Sequence, residues 1–156
     1  MKKPSKKTLT KPKQYRKLFL QAERLWKEIA KLRYGPECQV KKFYPKIKIN
    51  HSSILQIDHV ISRRDKNLFF HVFNGIPVCS TCNRAKCFNQ KGIAHAIEQI
   101  VINKIGGEEF GLMMELHQTG APNTNWKKLF WIEQVVENLR FYRDKLNVDS
   151  TIDQGG

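Results

Sequence analysis

With 156 residues, 40% of them hydrophobic, the chain is long enough for one domain with a real core. No apolar run approaches the ~20 residues that span a bilayer, which excludes a membrane-spanning helix. The net charge is +14, and residues 1–48 alone carry 16 Lys and Arg against three Glu, while the remainder is nearly balanced at 12 against 11 acids. A polyanion is the implied partner, nucleic acid first, bound mainly through the N-terminal third. A membrane surface is disfavoured because no lipidation motif accompanies the charge. The basic start lacks the apolar run of a secretory signal, so a cytoplasmic protein is expected. Its four cysteines, Cys38, Cys79, Cys82 and Cys87, are then thiols or metal ligands rather than disulfides.

Residues 1–13 hold six lysines and two prolines and read as a disordered basic arm. Residues 14–34 predict the first helix. Leu18, Ala22, Leu25, Ile29 and Leu32 recur at steps of three and four, and Trp26 widens the stripe. Arg16, Lys17, Arg24, Lys27, Lys31 and Arg33 fall off that stripe, and with Lys11 and Lys13 of the arm they make a phosphate-facing surface. Gly35-Pro36 ends the helix. A loop and a strand over 46–49 follow, with Phe43 and Tyr44 as packing anchors. After the turn Asn50-His51-Ser52-Ser53, residues 54–60 predict a short β-strand. Arg63 and Arg64 lie in the next loop. The apolar run Leu68, Phe69, Phe70, Val72 and Phe73 packs that loop, with His71 structural. Residues 76–78 predict a second strand, which leads into the knuckle Cys79-x-x-Cys82. Asn83 is placed at a helix start, with Arg84 and Lys86 as further phosphate contacts. Ile93, Ile97, Ile100, Val101 and Ile105 mark a helix stopped by Gly106-Gly107. A short helix over 108–118 and a long one over 126–146 complete the chain, and 149–156 read as a frayed tail. The fold class is α+β: a two-stranded antiparallel hairpin flanked by an N-terminal helix and C-terminal helices. A single domain over 14–148 is expected, its core about 38–105 and its helical part 106–148.

The stretch 55–86 gathers Asp58-His59, Asn74, and Cys79-x-x-Cys82-Asn83-x-x-Lys86. A carboxylate and an amide oxygen can hold one hard cation while leaving positions for phosphate oxygens and water. A neutral imidazole beside them can take the proton of an attacking water. In a regular strand, however, Asp58 and His59 point to opposite faces, so a shared site requires the strand to end or bulge there.

In Asp58-His59, in Asn74 and in Asn83-x-x-Lys86, nine residues after Asn74, the chain resembles the HNH nucleases, also called ββα-metal or His-Me finger nucleases. The resemblance implies a ββα-metal core in which His59 is the general base. Asp58 and Asn83 would be the ligands of Mg²⁺ (or Mn²⁺), and Asn74 would orient the imidazole through its loop. Zinc-bearing HNH proteins usually carry a Cys-x-x-Cys before the first strand; here Cys38 stands alone and Lys41 replaces the second thiolate. A structural Zn²⁺ site from Cys38, Cys79 and Cys82 needs a fourth ligand, Cys87 or His51. The other reading is four reduced cysteines packed without metal.

The Lys-rich start, the helix ending Leu-Arg-Tyr-Gly-Pro-Glu-Cys, the Ile-Gly-Gly-Glu-Glu-Phe segment and the final Tyr-Arg-Asp-Lys-Leu look like the NinG, or Rap, family of phage recombination proteins. That likeness implies an endonuclease acting on branched DNA such as Holliday junctions and D-loops, in the cytoplasm of a bacterial host. A homodimer would supply one active site per strand, with Trp126, Phe130 and Trp131 as interface candidates or core. Two other readings remain: a zinc-stabilised nucleic-acid-binding protein without catalysis, and an RNA-associated basic protein.

Overall fold

The computed structural model describes residues 10–152, with side chains described to residue 149. The elements run α1 (Lys11–Tyr34), α2 (Gln39–Phe43), β1 (Leu55–His59), β2 (Gly75–Cys79), α3 (Ser80–Cys87), α4 (Ile93–Ile105), α5 (Gly107–Thr119) and α6 (Leu129–Ile152). This is the α+β class expected, with the strands antiparallel and paired from Leu55↔Cys79 to His59↔Gly75. α3 follows β2 without a connecting residue.

Several boundaries differ from the sequence reading. Lys11 and Lys13 belong to α1 rather than to an arm, because Pro12 falls in the first turn, where its missing N–H costs nothing. Residues 1–9 of that arm lie outside the described residues. The strand expected over 46–49 is not formed, and the short helix α2 precedes it instead. Asn83 is not the helix start: Cys79 caps α3, its sulfur accepting from the Cys82 amide, and Asn83 sits one turn in. Gly106 stops α4 at φ 94°, but Gly107 already opens α5. The backbone of 149–152 continues α6 rather than fraying.

Two apolar clusters build the core. Ala22, Leu25, Trp26 and Ile29 of α1 pack with Phe70 and with Ile132, Val136 and Leu139 of α6. The second cluster joins Ile76 and Val78 of β2 to Cys82 and Ala85 of α3, Ile93, Ile97 and Ile100 of α4, and Phe110 and Met113 of α5. Trp126 and Trp131 pack against the first cluster, whereas Phe130 is half exposed. β2 is buried along its whole length, so the hairpin is held between the two clusters. Gly75 permits the closest approach: a Cβ there would come within 2.8 Å of the Trp26 ring. α1 can therefore lie directly against the end of the hairpin.

Candidate functional site

The knuckle at the end of β2 folds tightly because two residues separate Cys79 from Cys82 across a helix start. It meets Cys38, the N-terminal cap of α2, and His51, from the segment before β1. Ser52 Oγ lies 2.6 Å from Ser80 Oγ, and Ser80 N donates to the Ile54 carbonyl, which fixes the His51 segment against α3. The three sulfurs and the imidazole nitrogen all lie within 4.8 Å of one another. His51 Nδ1 is 3.3 Å from Cys82 Sγ, 3.5 Å from Cys79 Sγ and 3.9 Å from Cys38 Sγ, and Cys38 and Cys82 sulfurs are 3.8 Å apart. A tetrahedron with Zn–S near ~2.3 Å and Zn–N near ~2.05 Å has edges of about 3.6–3.8 Å, so the four atoms are spaced as zinc ligands.

His51, not Cys87, completes the set. Cys87 is exposed at the far end of α3, five residues and therefore ~140° around the helix from Cys82. Burial opposes ionisation at Cys79. Hydrogen bonds from the Cys82 amide, His51, the Cys82 thiol and the Ser52 amide overcome it and bring the Cys79 thiol down to about 6. Burial and the neighbouring Cys79 and Cys38 sulfurs push Cys82 upward. One thiolate forms readily there, and further ionisation calls for a cation at the centre.

A second constellation lies where β1 meets α3. Gln56 and Asp58 alternate onto one face of β1, and Asn83 and Lys86 are three apart on α3. Two rungs cross the seam: Asn83 Nδ2 donates to Gln56 Oε1 at 2.8 Å, and Lys86 Nζ reaches Asp58 Oδ2 at 2.5 Å. Lys86 Nζ also donates to the His59 carbonyl. Lys86, expected from the sequence as a phosphate contact, instead has its ammonium partly buried as the partner of Asp58. Gln56 carries one signal in the sequence, its i, i+2 relation to Asp58.

His59 faces the other way. The strand register runs unbroken to His59, so there is no bulge, and the ring stacks on Trp26 with centroids 4.4 Å apart. The strand ends at this residue, which is one of the two conditions for a shared site. Trp26 is itself held by a hydrogen bond from its indole nitrogen to the His71 carbonyl at 3.1 Å. Its place in the apolar stripe of α1 gives no sign of this contact in the sequence. His59 Nε2 lies 3.0 Å from the Phe69 carbonyl. A carbonyl only accepts, so Nε2 carries the proton and Nδ1 keeps the lone pair of the neutral ring. Burial lowers the His59 pKa, against the Phe69 carbonyl and Asp58, which raise it.

Asn74 is fully buried and braces the loop between the strands. Its Oδ1 accepts from Ile61 N at 2.7 Å, and its Nδ2 donates to the carbonyls of Ile61 and Leu68 at 3.1 and 2.9 Å. That loop carries Phe69, hence the hydrogen bond to His59. His71 is half-buried, and its ring nitrogen Nδ1 accepts from Phe73 N at 3.4 Å.

Lys11, Lys13, Arg16, Lys17, Arg24, Lys27 and Lys31 are all exposed on α1, as are Arg63, Arg64 and Arg84 on their own segments. At ~100° per residue, all of the α1 set except Lys11 fall within an arc of roughly 100° opposite the buried stripe. Lys27 is paired with Glu23 at 2.7 Å. Arg33 leaves the basic face: its guanidinium donates to the Val72 carbonyl and to Tyr142 Oη and lies over the Phe73 and Tyr142 rings. No helix among the described residues is long and apolar enough to cross a membrane. No protein-family model matches the chain, and neither a curated protein nor a solved structure does.

Proposed function

We propose that this chain is a Mg²⁺-dependent endonuclease with a ββα-metal core, hydrolysing DNA phosphodiester bonds, and that branched recombination intermediates are its substrates. The observation that carries the reading is the state of His59. It is a half-buried imidazole at a strand end whose pKa burial lowers, which favours the neutral ring, with Nε2 anchored on a backbone carbonyl and Nδ1 left as the basic atom. Nδ1 takes the proton of the attacking water as the water oxygen bonds to phosphorus and the P–O ester bond breaks, the leaving oxygen keeping the bonding pair and taking a proton from solvent. The Trp26 stack fixes the ring plane, and the Asn74 brace fixes the carbonyl that sets the tautomer. Asp58 and Asn83 offer a carboxylate and an amide oxygen, hard donors suited to Mg²⁺ or Mn²⁺. Such an ion would supply charge neutralisation at the phosphate. The Cys38/His51/Cys79/Cys82 centre is all sulfur and imidazole, and its role is to tie the hairpin, α2 and α3 together around zinc.

A second reading, a zinc-stabilised nucleic-acid-binding protein without catalysis, is favoured by the engagement of the carboxylate, since Asp58 Oδ2 accepts from Lys86, whereas Asn83 is tied to Gln56 through Nδ2 and not through its oxygen. Incubation of purified protein with a four-way junction and with supercoiled plasmid, with and without Mg²⁺, separates them. The nuclease reading expects metal-dependent cleavage that His59→Ala reduces at least ~10²-fold, with junction affinity unchanged. Binding without cleavage in any divalent metal would establish the second reading. Competition by structured RNA in the same assay tests the choice of DNA.

A further inference from the structure

The core-facing residues of α6 are Ile132, Val136 and Leu139, buried in the cluster shared with α1. Phe141 follows them by nine, five and two residues, which turns it about 140–200° away from them at ~100° per residue. Its ring is 74% exposed, more than any other large hydrophobic side chain among the described residues. Phe130, eleven residues earlier, and Val148, seven later, are also exposed, within about 20° of the same direction. Lys128 stands 5.9 Å from the Phe130 centroid, so Phe141 is the bare ring of the face. Large apolar side chains aligned along one line, rather than scattered singly, mark an interaction surface.

Charge selects the occupant. Residues 129–149 carry four acids, Glu133, Glu137, Asp144 and Asp149, against three bases, Arg140, Arg143 and Lys145, in a chain of net charge +14. A polyanion has little hold on such a balanced face, whereas another protein surface does. Glu137 lies four residues before Phe141 and Lys145 four after it, each turned about 40° to one side. Both are exposed, and neither has an ion pair among the described residues, while Arg143 is already engaged by Glu28 and Asp144. A two-fold axis through Phe141 sets a second α6 antiparallel to the first, ring against ring. It also brings Glu137 of each copy opposite Lys145 of the other. A parallel pair would instead oppose Glu137 to Glu137 and Lys145 to Lys145. The face is complementary to itself in the antiparallel direction, as an isologous contact requires.

We propose that this chain forms a two-fold homodimer through the outer face of α6, with Phe141 on the axis, a Glu137–Lys145 pair on either side, and Phe130 and Val148 further along the seam. Trp126 and Trp131 take no part, since they pack against the core cluster within one chain. The face belongs to neither constellation described above, and its test uses neither metal nor nucleic acid.

Sedimentation velocity of the full chain between about 1 and about 100 µM should show a monomer–dimer equilibrium, since a pair of helices is a small interface. Phe141→Glu should leave a monomer over that whole range, with an unchanged melting temperature, because the ring buries nothing within its own chain. Glu137→Lys alone and Lys145→Glu alone should each weaken the dimer about three- to tenfold, by replacing an exposed attraction with a repulsion at two symmetric places. The two together restore the pairs with their signs exchanged, so the double variant should return to within about threefold of the parent. A parent that stays monomeric at the highest concentration would overturn the proposal and leave the face to a different protein. A dimer that Phe141→Glu leaves intact would overturn it as well, and a double variant no better than the single ones would overturn the antiparallel register.

Discussion

Asn74 has no surface to lose and three backbone groups to satisfy; its truncation takes the partner from the Ile61 N–H and the Ile61 carbonyl, while the Leu68 carbonyl keeps the His71 amide. Asn74→Ala should cost about 2–4 kcal/mol in urea unfolding, taking each orphaned group at ~1–3 kcal/mol with partial relaxation. A loss below ~0.5 kcal/mol would remove its role as the brace of the loop. His71 makes a second prediction, about pH. Burial and the Arg33 charge hold its pKa below the ordinary 6.5, and its Nδ1 accepts from Phe73 N, which protonation forbids. Below pH ~6.5 the unfolded chain takes up a proton that the folded chain refuses, so stability should fall as pH drops from 6.5 towards the folded pKa. His71→Gln should flatten part of that slope. His59, also depressed by burial, supplies the remainder. An unchanged slope in urea midpoints between pH 5 and 7.5 would show that His71 does not titrate in this way.

At the scale of elements, α2, α3 and the segment before β1 converge on the thiols and His51, with Ser52 and Ile54 also tied to Ser80. α2 is five residues long and α3 eight, too short to be stable alone in water. Cross-linking by a metal is the economical way to hold them. Protein purified without added metal should therefore contain about one zinc per chain, and Cys79→Ser or His51→Ala should lose the zinc and lower the melting temperature by several degrees. Cys87→Ser should do neither, because that thiol lies outside the cluster. Full zinc content in His51→Ala would return the fourth position to another ligand.

For the whole molecule the dominant feature is the distribution of charge. Lys13, Arg16, Lys17, Arg24, Lys27 and Lys31 share the outward face of α1, with Glu23 the paired acid beside them. If about six cations each neutralise one phosphate, log K should fall with log salt at a slope near −5, a loss of about a thousandfold for a fourfold rise in salt. Replacing Lys17, Arg24 and Lys31 by Ala should make that slope shallower by about 2.7, with similar losses on unrelated sequences because phosphates carry no base identity. A slope unchanged in filter-binding titrations would move the contact surface to Arg63, Arg64 and Arg84.

The stripe of α1, the two short strands, the knuckle and the helical C-terminal half were legible in the residues, because periodicity and Gly or Pro punctuation are local properties. So was the conflict between Asp58 and His59, which follows from the two-residue repeat of a strand. The local signals also misled: Lys46-Ile47-Lys48-Ile49 alternates like a strand but has no neighbour to pair with, and Asn83 looks like a cap although the Cys79 sulfur performs that task. The choice of His51 over Cys87, the stack of Trp26 on His59 and the pairing of Lys86 with Asp58 join residues 28–33 positions apart or, for Cys87, turn on which way α3 rotates. Such contacts are settled by packing: which face of α1 meets the hairpin once Gly75 lets Trp26 close in, and which face of α3 turns inward once Cys82 and Ala85 are buried.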